Sequence, residues 1–168
     1  GDLGVIGFSG ACKLDGTTGR IVSAMAAMNG QFRDGIDSGS NYELTAAEFD
    51  EAFTHEFGHF IGLDHSQINV NVLNSPASSC SVDDLAGLPL MFPFLHCQAR
   101  ATAGLPTLAP DDIAWVSRLY PESGNVPPSQ VPFDSAYGTI RGTIYFSDGV
   151  TQAQGVNVIA RRVSDGNP

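Results

Sequence analysis

The chain has 168 residues, room for one ordinary domain and part of another, and its 42% hydrophobic content can supply a core. Charged residues make up only 15%, against about 25% in soluble proteins generally. The net charge is −10 with no basic run, which argues against nucleic-acid binding, and no apolar run reaches the roughly 18 residues that a bilayer-spanning helix needs.

The opening "GDLGVIGFSG" and the closing "ARRVSDGNP" both read as interrupted patterns, so the chain is expected to continue at both ends, with any targeting signal outside it. A short apolar strand is expected at 3–8, with Leu3 and Phe8 at its ends. Ile21, Ser23, Met25 and Ala27 then alternate with Val22, Ala24, Ala26 and Met28. Both faces are small or apolar, as for a strand in a sheet covered on both sides. "RDGIDSGSN" has the composition of a loop.

Thr45 and Glu48 form a T-x-x-E capping box, which predicts a helix start. Phe49, Phe53, Phe57 and Phe60 follow at helical spacing and predict a buried apolar stripe. From Gln67 to Leu90 the chain reads as irregular, rich in Asn, Ser and Pro. "PDDIAWVSRLYP" predicts a second helix, with Pro110 in its first turn, Ile113, Val116 and Leu119 on one face, and Pro121 as its stop. "ESGNVPPSQVP" has linker composition, and the residues beyond it alternate like two strands around a glycine-containing loop.

Cys80 and Cys97 flank one loop and are the favoured disulfide, contributing on the order of 3 kcal/mol, with Cys12 left over. Three unpaired thiols are the open alternative. His96 reads as a loop histidine, and Asp83 and Asp84 as a solvated pair.

Three of the four histidines fall within "HEFGHFIGLDH", residues 55–65. On a helix His55 and His59 lie roughly 6 Å apart on nearly one face and can converge on a cation. Continued helix would carry His65 about 240° round, pointing away. It can join the pair only if the helix stops between them, and Gly62 accepts the positive φ of a helix C-terminus. Three imidazoles with an open fourth position describe a catalytic zinc site, since closed structural sites use four protein ligands. Glu56, beside His55, flanks that position as a general base for the zinc-bound water.

These residues match H-E-x-x-H-x-x-G-x-x-H throughout, and the chain thereby resembles the metzincin zinc peptidases. Ser66 after the third histidine is similar to the matrixin branch. "LMFP" at 90–93 resembles the Met-turn, which implies that Met91 forms an apolar floor below the metal. "LAPDDIAWVSRLYP" resembles the closing matrixin helix, in which an Asp anchors the Met-turn backbone; Asp111 and Asp112 are the candidates. The resemblance further implies that strand 3–8 is an antiparallel edge strand able to bind an extended polypeptide substrate by main-chain pairing. Residues 21–28 would be the next strand. A structural Ca2+, common in matrixins, would be a further cofactor, and Asp83 and Asp84 are the acids considered for it.

The chain departs from the family in three ways. The family's first strands and first helix have no counterpart here, and the interval from Ser66 to Met91 is much longer than usual. Leu95 stands where matrixins usually carry tyrosine, and no tyrosine follows Met91 at the spacing of the extra metal ligand of astacins. Residues 93–106 would wall the primed-side pocket, implying an apolar P1′ preference.

The fold class expected is α+β, an α/β/α-like metzincin catalytic domain over 1–122 lacking its first elements. A linker is expected at 123–135. The remaining residues, 136–168, resemble the start of a carboxypeptidase-regulatory-like β-sandwich. The implied function is zinc endopeptidase, secreted or at the cell surface. The alternatives are a non-catalytic adhesion or scaffold protein on the same fold, and a zinc hydrolase with a non-peptide substrate.

Overall fold

The computed structural model describes residues 4–37, 42–121, 132–154 and 156. Within them the chain is a small mixed α/β protein with a two-stranded antiparallel sheet and several helices.

Strand β1 (Gly7–Leu14) pairs with β2 (Ile21–Met28) in the register Gly7 opposite Met28, Phe8 opposite Ala27 and Gly10 opposite Met25. The second strand occupies the residues that alternation predicts. The first does not: Leu3 lies outside the described residues, Gly4–Ile6 precede the strand, and pairing continues to Leu14. The reason is local. Asp15 accepts from the backbone N–H groups of Thr17 and Thr18, and its own N–H donates to the Arg20 carbonyl, closing a tight turn. The turn sets the register, so the weakly hydrophobic "GACKL" becomes strand by pairing rather than by burial.

Helix α1 (Ala46–Phe60) carries both halves of the predicted capping box, with Thr45 accepting from the Glu48 N–H and Glu48 accepting from the Thr45 N–H. It packs against both strands. Its phenylalanine stripe is not buried as expected: Phe53 is 53% exposed and Phe57 48% among the described residues. The covered-sheet expectation fails likewise, since Val22 and Met25 are exposed. A two-stranded sheet is too narrow to cover more than one flank of a helix, and with Val22 and Met25 on opposite faces of β2 both exposed, neither sheet face is fully covered.

Two short helices lie where the sequence reads as irregular: α2 (Val70–Asn74), capped by Asn69, and α3 (Val82–Gly87), capped reciprocally by Ser81 and Asp84. Each is barely more than a turn, below the length at which periodicity is visible. Val72, Leu85, Leu88, Phe92 and Cys97 bury one another there, beside a Cys80–Cys97 disulfide; Cys12 is free and exposed. Helix α4 (Pro110–Leu119) has Pro110 in its first turn, as expected, but Ile113 and Leu119 are exposed and its buried residue is Asp112.

Of the expected linker, 122–131 lies outside the described residues, and its end forms a single helical turn, α5 (Phe133–Ala136). Farther on, one antiparallel bridge, Tyr145 to Gln152, closes a turn at Asp148 and Gly149, where Asp148 accepts from the N–H groups of Val150 and Thr151. The second expected strand falls almost wholly outside the described residues.

Candidate metal centre

Helix α1 ends where His65 requires it to end. Gly62 has φ 95°, its N–H donates to the His59 carbonyl and the Leu63 N–H to the Gly58 carbonyl. This pair of bonds is the Schellman arrangement, which terminates a helix and reverses the chain. Residues after it fold back, and His65 returns to the face from which His55 and His59 project.

The candidate ligand atoms of His55, His59 and His65 all lie within 4.8 Å of one another, and those of His59 and His65 approach to 3.0 Å. Tetrahedral zinc with bonds of 2.0–2.1 Å would hold its nitrogens about 3.3 Å apart, so the cluster has the right size for one ion. The ring orientations agree. His55 Nδ1 faces the Leu90 carbonyl at 2.7 Å, and His59 Nδ1 faces the Leu63 carbonyl at 2.8 Å. A carbonyl can only accept, so each Nδ1 carries the proton and each Nε2 presents a lone pair to the cluster. Burial, together with the neighbouring imidazoles, lowers the pKa of His55 and of His65. Both effects favour the neutral form that a metal requires.

Glu56 is 8% exposed, and its Oε2 is buried with no hydrogen-bond partner. Burial pushes its carboxyl pKa up, and the nearby His59 and His65 partly offset this. An orphaned carboxylate oxygen beside three converging imidazoles is the feature a metal-associated water would satisfy. The donors and this oxygen fit a zinc ion.

Support comes from two further elements. Met91, 3% exposed, packs its Sδ on Gly58, where a Cβ would collide with it; the sulfur thus lies against α1 between His55 and His59. Asp112, also 3% exposed, accepts from the N–H groups of Leu90 at 2.8 Å, Met91 at 3.1 Å and Ala109 at 2.8 Å. Of the two aspartates considered, Asp112 therefore holds the turn, and Asp111 is exposed at the first turn of α4. The Leu90 carbonyl orients His55, so a chain of contacts runs from Asp112 through Leu90 to the first histidine. The Ser66 N–H donates to the Met91 carbonyl, joining the third-histidine segment to the same turn.

Three contributors escaped the sequence reading. Arg100, 4% exposed, donates to the carbonyls of Leu85, Leu88 and Pro106, and its N–H donates to Glu51, one turn before His55. An arginine in an apolar loop is the signal that could have found it, because such a cation needs carbonyl or carboxylate partners. The Tyr120 hydroxyl donates to the Ile61 carbonyl and ties the end of α4 to the end of α1. Glu51 carries no such signal, being one acid among several on a helix. His96 bonds the Ser75 carbonyl, and Asp84 is spent on capping α3.

A cleft of about 440 Å³ is lined by His55, Glu56 and His65 together with Val5, Gly7, Leu90, Phe92 and Phe94. No helix among the described residues is long and apolar enough to cross a membrane. Comparisons of this chain with protein-family models, with curated proteins and with solved structures found no match.

Proposed function

We propose that this chain is a zinc-dependent endopeptidase resembling the matrixin branch of the metzincins. The observation that carries the reading is the convergence of His55, His59 and His65 beside the buried, unpartnered Glu56 carboxylate at the wall of an open cleft. His55, His59 and His65 would hold the metal. When bound, zinc supplies Lewis acidity toward a carbonyl and lowers the pKa of a coordinated water.

The chain's own residues do the rest. Glu56 accepts the proton of the attacking water and delivers it to the leaving amine; its raised pKa suits both directions of transfer. Asp112 and Leu90 fix His55, and Met91 closes the site from beneath with an apolar surface. The outer edge of β1 is unpaired among the described residues and borders the cleft at Gly7, so an extended polypeptide would lie along it as an added strand. Phe92 and Phe94, which line the cleft, favour an apolar P1′ side chain. The Cys80–Cys97 disulfide supports secretion or display in an oxidising compartment.

The test is digestion of a diverse peptide library by zinc-loaded protein, read by mass spectrometry, with Glu56→Ala in parallel. Cleavage by the parent and a loss of about 10³-fold or more in the variant, at equal zinc content, is expected. Equal activity in both would sink the mechanism. No cleavage by folded, zinc-loaded parent would favour a scaffold role or a non-peptide substrate.

A further inference from the structure

The glycines of β1 are not equivalent. Gly10 faces open space, with nothing within 4 Å of where a Cβ would stand. At Gly7 a Cβ would lie 2.8 Å from Glu56 Cγ, 3.1 Å from Glu56 Cδ and 2.9 Å from the Sδ of Met28, its cross-strand partner. Gly7 is not among the positive-φ glycines, so its backbone would accept any L-residue. What demands glycine is space, at a cost in strand propensity. The backbone of β1 has come down onto the stem of Glu56.

This contact decides where the carboxylate sits. Glu56 follows His55 on α1 and has three side-chain torsions, so the helix alone leaves its carboxyl several rotamers. Oε2 has no hydrogen-bond partner, so packing rather than polar bonding restrains it. The main chain at Gly7 closes one side of that stem.

We infer that Gly7 is a positioning residue for Glu56, its missing side chain fixing the carboxylate at the cleft wall. The inference rests on the peptidase reading for its effect on turnover, though the contact itself does not depend on that reading. Any side chain at position 7 pushes Glu56 out of place; none of the three histidines is among the atoms a Cβ there would meet first, so they stay free to bind zinc.

The experiment isolates the Glu56 contact by placing every variant in a Met28→Ala background, which removes the sulfur from the other side. Gly7→Ala there is expected to lower kcat by about 10²-fold with KM within about twofold and zinc stoichiometry unchanged, the effect of a displacement near 1 Å at a reacting group. Gly87→Ala, at the exposed end of α3 with nothing within 4 Å of where a Cβ would stand and away from the cleft, should match the background. A second readout needs no activity. In metal-free protein, Gly7→Ala should lower the urea midpoint when Glu56 is present and leave it unchanged or raise it when Glu56 is alanine, a coupling expected of direct contact. Additive stability effects, or unchanged kcat in Gly7→Ala, would overturn the inference. Coupling without any Glu56-dependent turnover would leave the contact standing and remove the peptidase reading instead.

Discussion

Glu56 is buried with an oxygen unpartnered, and this costs folding free energy whenever the carboxyl is ionised. The unfolded chain ionises it near 4.5, the folded chain at higher pH. The penalty is therefore absent below the unfolded value, grows through the interval between the two, and is complete above the folded one. His55 and His65, with lowered pKa values, pull the other way, destabilising the metal-free fold as pH falls below 6.5. Glu56 is the smallest of the influences on His65 and is not among those on His55, so the histidine contribution nearly cancels between parent and variant. Metal-free Glu56→Gln should thus equal the parent in urea at about pH 4 and exceed it at about pH 8; a gap that does not change with pH would assign the cost to shape instead. Asp112 works in the opposite sense. Its removal in Asp112→Ala leaves three buried N–H groups unbonded, at about 1–3 kcal/mol each. A stability loss on the order of 3 kcal/mol or more is expected in chemical denaturation, against less than about 0.5 kcal/mol for the exposed Asp111→Ala. Equal losses would mean that the turn at Leu90 and Met91 does not depend on Asp112.

Among the elements, α1 and its stop matter most. Its start was legible in Thr45 and Glu48 and its end in Gly62, because caps are set by side chains within one turn. Gly62→Ala meets two obstacles, a φ of 95° and a Cβ 3.2 Å from Ile21 Cδ1. A cost of about 1–2 kcal/mol follows from the backbone alone. Because the reversal returns His65 to the cluster, zinc affinity in calorimetric titration should also fall by about tenfold or more; unchanged affinity would show that His65 contributes little. Helices α2 and α3 were not legible as helices, although their caps stand in the sequence at Asn69 and Ser81. Five or six residues hold too few apolar positions to display a period. They exist because Val72 and Leu85 are buried against Phe92 and Cys97.

In the whole molecule, apolar side chains stay open among the described residues at Phe53 and Phe57 on one face of α1, at Trp115 and Leu119 on one face of α4, and at Val22 and Met25 on the sheet. Scattered apolar residues on a surface are ordinary, but helical stripes of them are not. Native protein is therefore expected to enhance bis-ANS fluorescence, and Phe53→Ser with Phe57→Ser to reduce the signal without loss of helicity. An unchanged signal would place the dye elsewhere.

The sequence by itself determined the local chemistry: two histidines and a glutamate in one helical frame, the glycine that ends the frame, the third histidine just beyond it, the caps, and β2. All of these depend on neighbours within a turn or two, where backbone geometry is nearly invariant. The tertiary structure alone decided which aspartate holds the turn at Leu90 and Met91, that Arg100 and Tyr120 bind distant carbonyls, how far β1 extends, which phenylalanines stay exposed, and that Gly7 lies on Glu56. Each of these is a contact between residues far apart in the chain, and linear spacing carries no information about which surfaces meet.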